Sequence, residues 1–189
     1  MNSIAVYCGS SSGVNGIYRD QAAHLGKMLA ERGTEVIFGG GKVGLMGILA
    51  DAALKAGGRV TGIIPGFLHI KEVAHDGLSK MITVDNMHER KALIFDKSDG
   101  FIALPGGFGT LDELFEMLTW AQLGLHQKAV GILNVNGYYD SILKGVDTMV
   151  EEGFLKTDNR EIIQVSGEAD ELLQMMENYL APPVPKWIK

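Results

Sequence analysis

The sequence contains a single cysteine, Cys8, which excludes an intramolecular disulfide and a cysteine metal cluster. Because Cys8 follows an apolar run, we expect a small buried side chain there. No apolar run approaches the roughly 20 residues of a membrane span. The N-terminus, MNSIAVYCGS, also lacks the basic region and long apolar stretch of a signal peptide. We therefore expect a cytoplasmic protein that makes no contact with a membrane.

Basic residues are fewer than acidic residues. The chain has 17 Lys and Arg against 23 Asp and Glu, which gives a net charge of −6. Non-specific binding of nucleic acid depends on a surplus of Lys and Arg, so no nucleic-acid partner is expected. A local site for a small anion is still compatible with this charge. With 189 residues, 46% hydrophobic and 21% charged, the chain fits one globular domain.

Short apolar runs alternate with helical patterns along the chain. This order predicts an α/β fold, with a doubly wound parallel sheet in three α/β/α layers. We expect a single domain over residues 1–181 and a proline-rich tail over 182–189, in which Trp187 is a candidate for packing on a partner subunit. Residues 71–80 are irregular and polar. The predicted strands are 3–8, 35–38, 60–64, 81–84, 101–104, 129–133 and 162–165; the predicted helices are 21–31, 45–56, 87–97, 111–123, 139–151 and 169–179.

Two glycine-containing loops follow the first two strands, where ligands bind in such sheets. In CGSSSG (8–13), Gly9 and Ser10 offer N–H and O–H donors, although a plain turn with a serine cap explains them equally. FGGGKVGLMG (38–47) fits the dinucleotide pattern G-x-G-x-x-G. It follows the second strand, however, and the next strand lacks the ribose-binding acid, which disfavours NAD. Gly40 and Gly41 either approach a ligand or allow tight helix–sheet packing.

A third glycine loop, LPGGFGTLDELFE (104–116), places Gly106, Gly107 and Gly109 at a predicted helix start, where free N–H groups bind anions. Thr110 is predicted to be the N-cap, and Thr110 with Glu113 fits a capping box. Asp112 is favourable there through the helix dipole alone. Leu111, Leu114, Phe115 and Leu118 have the spacing of a core-facing stripe. Glu113 is therefore either a structural cap or a carboxylate that acts on a ligand.

The stretch VDNMHERKALIF (84–95) starts another helix at the same edge of the predicted sheet, with Asp85 or Asn86 as its cap. Arg90 and Lys91 fall near its first turn, where the helix dipole disfavours cations by about 0.3–1 kcal/mol. A solvated charge run is one explanation. The other is a functional site, where local rules are often broken. In that case Arg90 could contact a phosphate, a ribose hydroxyl or Glu113.

These segments together resemble the LOG ("lonely guy") family. PGGFGTLDE is similar to that family's P-G-G-x-G-T-x-x-E motif, and MHERK to its upstream Arg-Lys pair. GGGKVGLMG and CGSS are similar to two further family segments, and the spacing is consistent over nearly the whole chain. The family comprises cytokinin riboside 5′-monophosphate phosphoribohydrolases that were formerly labelled lysine decarboxylases.

The resemblance implies a Rossmann-like homodimer without a cofactor or metal. It also implies hydrolysis of the N-glycosidic bond of a nucleoside 5′-monophosphate, AMP or N6-prenyl-AMP, to free base and ribose 5-phosphate. The implied catalytic pair is Arg90 and Glu113. The implied substrate-binding residues are Glu72, Lys91, Gly106, Gly107, Phe108, Gly109, Thr110, Asp112 and Thr119, to which the loops add Gly9, Ser10, Gly40 and Gly41. Phe108 stands where Tyr is common.

Two other classes stay open at this point. A nucleotide carrier or sensor could use the same loops without chemistry, although it would not need Arg90 and Glu113 as a pair. A decarboxylase would need pyridoxal phosphate on a lysine, and only Lys42 and Lys91 lie near the predicted site. The sequence does not reveal the preferred base.

Overall fold

The computed structural model describes residues 1–69 and 74–182. In this part of the chain seven strands form one parallel sheet in the order β4-β3-β2-β1-β5-β6-β7. The strands are β1 (Ser3–Tyr7), β2 (Glu35–Phe38), β3 (Val60–Pro65), β4 (Lys80–Val84), β5 (Gly100–Ala103), β6 (Ala129–Leu133) and β7 (Ile163–Ser166). The predicted doubly wound α/β fold is confirmed.

Helices separate these strands along the chain. They are α1 (Ile17–Glu31), α2 (Gly44–Lys55), α3 (Gly66–His69), α4 (Met87–Asp96), α5 (Phe108–Gln122), α6 (Asp140–Glu151), α7 (Thr157–Arg160) and α8 (Ala169–Glu177), with a 3-10 turn over Val135–Gly137. The short α3, α7 and 3-10 turn were missed because single turns carry no helical periodicity. In the described part of the chain, no helix is both long and apolar enough to cross a membrane.

The sheet is covered on both faces because successive side chains of each strand point to opposite sides. On β1, Ile4 and Val6 pack in the core under α1, α2 and α8, whereas Ala5 and Tyr7 pack in the core under α4, α5 and α6. The strands β3, β5 and β6 are buried along their whole length, as central strands of a parallel sheet should be.

The strand order reverses beside β1, which pairs with β2 on one side and with β5 on the other. The loops that leave the carboxyl ends of β1 and β5 diverge to opposite faces of the sheet at this point and open a crevice between them. The crevice receives the loop after Tyr7 and the glycine loop after Ala103. The loop after β2 leaves the strand next to β1, so the fold brings together the three glycine loops that the sequence singles out.

Two sequence-based predictions fall outside the described residues. Glu72 is one, and the tail with Trp187 is the other. The boundary between domain and tail at residues 181 and 182 stays a prediction.

Candidate functional site

Backbone hydrogen bonds tie the three glycine loops together. The N–H of Gly9 donates to the carbonyl of Pro105 at 3.0 Å, and the N–H of Leu45 donates to the carbonyl of Gly9 at 3.0 Å. Beside them lies a cleft of about 340 Å³, which we call the switch-point cleft. Its lining is Val6, Tyr7, Cys8, Gly9, Ser10, Gly39, Met46, Leu68, Met87, Arg90, Gly107, Phe108, Gly109, Thr110, Asp112 and Glu113.

Helix α5 begins three residues earlier than predicted, and the predicted capping box is wrong. Gly107 is the N-cap and Phe108 is the first helical residue, so Thr110 lies inside the first turn. The early start is possible because Gly107 carries no side chain and is extended, with φ −96° and ψ −151°. No side chain caps this end. Glu113 therefore does not act as the partner of a threonine cap.

The first turn of α5 is suited to binding an anion. Gly107, Phe108, Gly109 and Thr110 all line the switch-point cleft, and the first N–H groups of a helix have no acceptor within it. The helix dipole adds positive potential at the same place. A phosphate bound here would meet several N–H donors at once.

The three glycines of this loop serve two different purposes. A Cβ at Gly106 would collide with the Thr110 side chain and approach the Gly9 nitrogen to 2.9 Å, so Gly106 is required by packing. A Cβ at Gly107 or Gly109 would meet no atom of the described structure within 4 Å. Packing therefore does not require these two glycines, and they leave the helix start open to a ligand.

The glycines of the second loop serve packing. A Cβ at Gly39 would collide with the Arg90 guanidinium, and one at Gly44, where φ is +65°, would collide with the backbone of Ser10. Gly40 and Gly41 pair by backbone with the segment after β3: the N–H of His75 donates to Gly40 at 3.1 Å, and Gly41 forms an isolated bridge with Ala74. A Cβ at Gly40 would also approach Met81 and Ile64 to 3.2 and 3.4 Å, which favours the packing alternative there, while a ligand contact at Gly41 stays a prediction.

Arg90 is buried at the base of the cleft, with 7% of its surface exposed. Asn86 caps α4 by accepting from the N–H of Glu89 at 2.9 Å, which starts the helix so that Arg90 points inward. The guanidinium Nη2 donates to the carbonyl of Gly39 at 3.2 Å. Its Nε is buried and has no acceptor among the described residues. A buried donor in this condition is available to a ligand oxygen.

Glu113 lies on α5 at the cleft, opposite β1. Its negative charge acts on two neighbours that also line the cleft. Burial raises the pKa of the Tyr7 phenol, and the charges of Glu113 and Glu116 raise it further, while Arg90 lowers it. Burial, and then Glu113, likewise raise the pKa of the Cys8 thiol. Both groups therefore stay neutral beside the carboxylate.

Lys91 and Asp112 contact each other. Lys91 Nζ lies 2.7 Å from Asp112 Oδ2 and 3.5 Å from Glu116 Oε2, which joins α4 to α5. Burial lowers the pKa of Lys91, but the hydrogen bond to Asp112 and the charges of Glu116 and Asp112 outweigh it, so the pKa is raised. Thr119, one turn beyond Glu116, donates to the Phe115 carbonyl at 2.7 Å.

Sequence reasoning missed two groups of residues at the site. The apolar side chains of Val6 and Met46 line the switch-point cleft and were not expected there, whereas Leu68 and Met87, which also line it, follow strand ends where a ligand is expected in such a sheet. Tyr138 was missed as well. Its hydroxyl donates to the Gly106 carbonyl at 2.8 Å and supports the glycine loop from the side of β6. No sequence pattern marks that contact, because 32 residues separate its partners.

The predicted core-facing stripe of α5 is confirmed for Leu111, Leu114 and Leu118 and is wrong for Phe115. Leu114 is fully buried together with Thr110 and Met117, and Leu111 and Leu118 pack against the same core. Phe115 is 36% exposed, and Leu111 and Leu118 are only partly buried. Phe108 at the cleft is 92% exposed.

The doubly wound parallel sheet defines a Rossmann-like protein, and the uncapped helix start and buried arginine at its switch point are suited to an anionic ligand. The family model described as "possible lysine decarboxylase" matches residues 46–176. The chain belongs to this family.

Relatives in the same family are named as hydrolases. The chain is 48% identical over 177 residues to cytokinin riboside 5′-monophosphate phosphoribohydrolase LOG2 of Arabidopsis thaliana, covering 94% of this chain and 83% of the relative. It is also 48% identical over 177 residues to the enzyme named LOG from Oryza sativa subsp. japonica, covering 94% of this chain and 73% of that protein. The resemblance drawn from the motifs is confirmed.

Solved structures support the fold. A molybdenum cofactor binding protein from Rippkaea orientalis superposes with a TM-score of 0.70 at 21% identity, covering 93% of this chain and 95% of the other. The molybdenum cofactor carrier protein of Chlamydomonas reinhardtii gives a TM-score of 0.70 at 20% identity, with 93% and 96% covered. At this identity the likeness concerns the fold alone.

Proposed function

We propose that this protein hydrolyses the N-glycosidic bond of nucleoside 5′-monophosphates, AMP and N6-prenylated AMP among them. The products are the free base and ribose 5-phosphate. The observation that carries the proposal is that Arg90, Glu113 and the uncapped start of α5 line one cleft at the switch point. A carrier needs a binding surface, whereas a carboxylate beside a buried arginine also provides for bond cleavage.

The start of α5 and the first loop would hold the phosphate. The N–H groups of Gly107, Gly109 and Thr110 supply donors, and Gly9 and Ser10 line the same cleft. The apolar side chains of Met46, Leu68 and Met87 offer a surface for the base. Held between these two ends, the ribose would lie next to Glu113 and Arg90.

Glu113 would act on the sugar carbon. When the bond between C1′ and the base nitrogen breaks, the ribose gains oxocarbenium character, which a nearby carboxylate stabilises. A water molecule then adds to C1′. Its oxygen bonds to the carbon, and the departing base gains one proton. Glu113 is the candidate that orients and deprotonates this water. Arg90, whose guanidinium is held by the Gly39 carbonyl, would fix the ribose hydroxyls and the Glu113 carboxylate relative to each other.

The decarboxylase alternative fits the two nearby lysines poorly. A lysine that forms a Schiff base needs a lowered pKa. The pKa of Lys42 is raised by its hydrogen bond to Asp76, and the pKa of Lys91 is raised by Asp112 and Glu116. Both amines therefore favour the charged, non-nucleophilic form.

The test is the release of adenine from AMP, followed by chromatography. Glu113→Gln keeps the shape of the side chain and should nearly abolish release, while Glu151→Gln, at an exposed carboxylate at the end of α6, should not. Arg90→Ala should be severely impaired. Full turnover in Glu113→Gln would contradict the assignment. Calorimetric binding of AMP by a wild-type protein that releases no base would instead indicate a carrier.

We also propose that the protein acts as a homodimer in the cytoplasm. Phe108, Leu111, Phe115 and Leu118 form a partly exposed apolar stripe along α5 that begins at the cleft, which suits contact with a second copy. The lone thiol, Cys8, is buried and needs no oxidising compartment. Phe115→Glu should shift the mass measured by light scattering from dimer to monomer.

A further inference from the structure

Two adjacent residue pairs face each other across α4 and α5. Arg90 and Lys91 are neighbours on α4, and Asp112 and Glu113 are neighbours on α5. Consecutive helical residues point about 100° apart, so the members of each pair have different surroundings. Arg90 and Glu113 line the switch-point cleft, whereas Lys91 lies between the carboxylates of Asp112 and Glu116.

We propose that Lys91 is a positioning residue that holds α4 against α5, rather than a ligand for the substrate phosphate. Asp112 and Glu116 are four residues apart and therefore share one side of α5. Both approach the same ammonium group, at 2.7 Å and 3.5 Å. We call these three residues the helix clamp. Its effect on turnover rests on the proposed function, since it acts by fixing Arg90 relative to Glu113.

The charges argue against a phosphate at Lys91. The ammonium carries one positive charge and its two partners carry two negative charges, so the clamp is net negative. A phosphate dianion approaching it would be repelled by both carboxylates. The side chain of Lys91 is also only 16% exposed, which leaves little of it accessible to a ligand.

The apolar core contacts of helix α4 lie in its second half, where Ile94 is buried and the Phe95 ring meets Trp120 of α5 edge-on. Of its ten residues, only Arg90 and Ile94 are buried. Packing therefore fixes the second half of the helix more directly than the first half, which carries Arg90 and Lys91. An ion pair that is largely shielded from water on the lysine side constrains it further. Since catalysis is sensitive to misplacements of about 1 Å, loss of the clamp should lower turnover.

The experiment compares Lys91→Met, Asp112→Asn and the double variant. Both single variants should lower kcat for AMP by roughly 10–100-fold, the scale of a small misplacement. KM should change less than about twofold in each, and the double variant should be no worse than either single one. Lys91→Arg keeps a cation between the carboxylates and should recover most of the turnover. Lys97→Met, at the exposed C-terminal end of α4, is the matched control.

A phosphate ligand would give a different pattern. Lys91→Met would then raise KM for AMP at least tenfold and leave KM for adenosine unchanged. Asp112→Asn would free the cation and leave kcat intact. That result would overturn the clamp.

A readout without turnover separates this proposal from the proposed function. The unfolding free energies of the same four proteins, from urea titrations, form a double-mutant cycle. Non-additive changes support the clamp even if no nucleotide is hydrolysed. Additive changes contradict it even if AMP is cleaved efficiently.

Discussion

At the scale of single residues, the glycines of the loop 104–116 differ in purpose: one is required by packing, and another leaves space for a ligand. Gly106 is confined by the Thr110 side chain and the Gly9 backbone, whereas Gly109 faces open space at the start of α5. Glycine at a helical position is less favourable than alanine by about 1 kcal/mol. Its presence at residue 109 therefore needs a reason other than stability, and an approaching phosphate supplies one.

We predict that Gly109→Ala raises the melting temperature by a few degrees and lowers kcat/KM for AMP by at least tenfold, because the methyl group occupies space meant for the ligand. Gly106→Ala is the matched comparison and should lower the melting temperature, since its methyl group collides with Thr110. Calorimetry and the adenine-release assay measure both quantities. Undiminished kcat/KM in Gly109→Ala would refute the assigned role of the open helix start.

At the scale of elements, the start of α4 decides where Arg90 points. The sequence left Asp85 and Asn86 as alternative caps, and the structure selects Asn86, whose side chain accepts from the N–H of Glu89. Glu89 in turn accepts from the N–H of Asp85 at 2.9 Å. These two bonds fix the first turn of the helix that carries both Arg90 and Lys91.

Asn86→Ala should therefore cost about 0.5–2 kcal/mol of unfolding free energy and should also lower kcat, because fraying of the first turn displaces Arg90. Asp85→Ala retains the cap and should change the unfolding free energy by a smaller amount. Urea titration and initial rates on AMP test both variants. Equal losses in the two variants would show that the side chain of Asn86 has no special role.

The elements also show what the sequence can predict. All seven strands were predicted, because alternating apolar runs and helical periodicity follow from burial in a two-faced sheet. Helix starts were less accurate: α5 begins at Phe108 because an extended glycine allows it, although Thr110 fits the local capping pattern. Motifs singled out Arg90 and Glu113, which line the cleft, and their catalytic role stays a prediction. The Tyr138–Gly106 bond depends on a tertiary contact that no local pattern encodes.

At the scale of the whole molecule, the cleft borders the cores on both faces of the sheet, since its lining includes Val6 and Cys8 of one core and Tyr7 of the other. The core beneath α4, α5 and α6 contains Phe101 and borders Tyr7 of the cleft, and His126 closes it from the loop after α5. His126 Nε2 pairs with the Met117 carbonyl at 2.9 Å, while Nδ1 accepts from the N–H of Lys128 at 3.1 Å. This pattern fits a neutral ring with its proton on Nε2.

The pH dependence of the unfolding free energy should reveal the lowered pKa of His126. Burial lowers the pKa of His126 below its usual 6.5, the carbonyl of Met117 opposes that shift, and the charge of Lys128 adds to it. Below about pH 6.5 the unfolded chain then binds a proton that the folded protein does not. The unfolding free energy is thus highest above pH 6.5 and falls as the pH drops, by at most about 1.4 kcal/mol per pH unit for one proton.

Urea titrations between pH 7.5 and pH 5.5 measure this slope. Carboxylates also contribute to it, so the informative quantity is the difference between wild type and His126→Gln, which removes the titrating ring from the core. The variant should be less stable at pH 7.5 but lose less stability on acidification. His24→Gln, at an exposed position on α1, is the matched control for the loss of a histidine outside the core. Identical slopes in wild type and His126→Gln would mean that the ring is protonated as readily in the folded protein as in the unfolded chain.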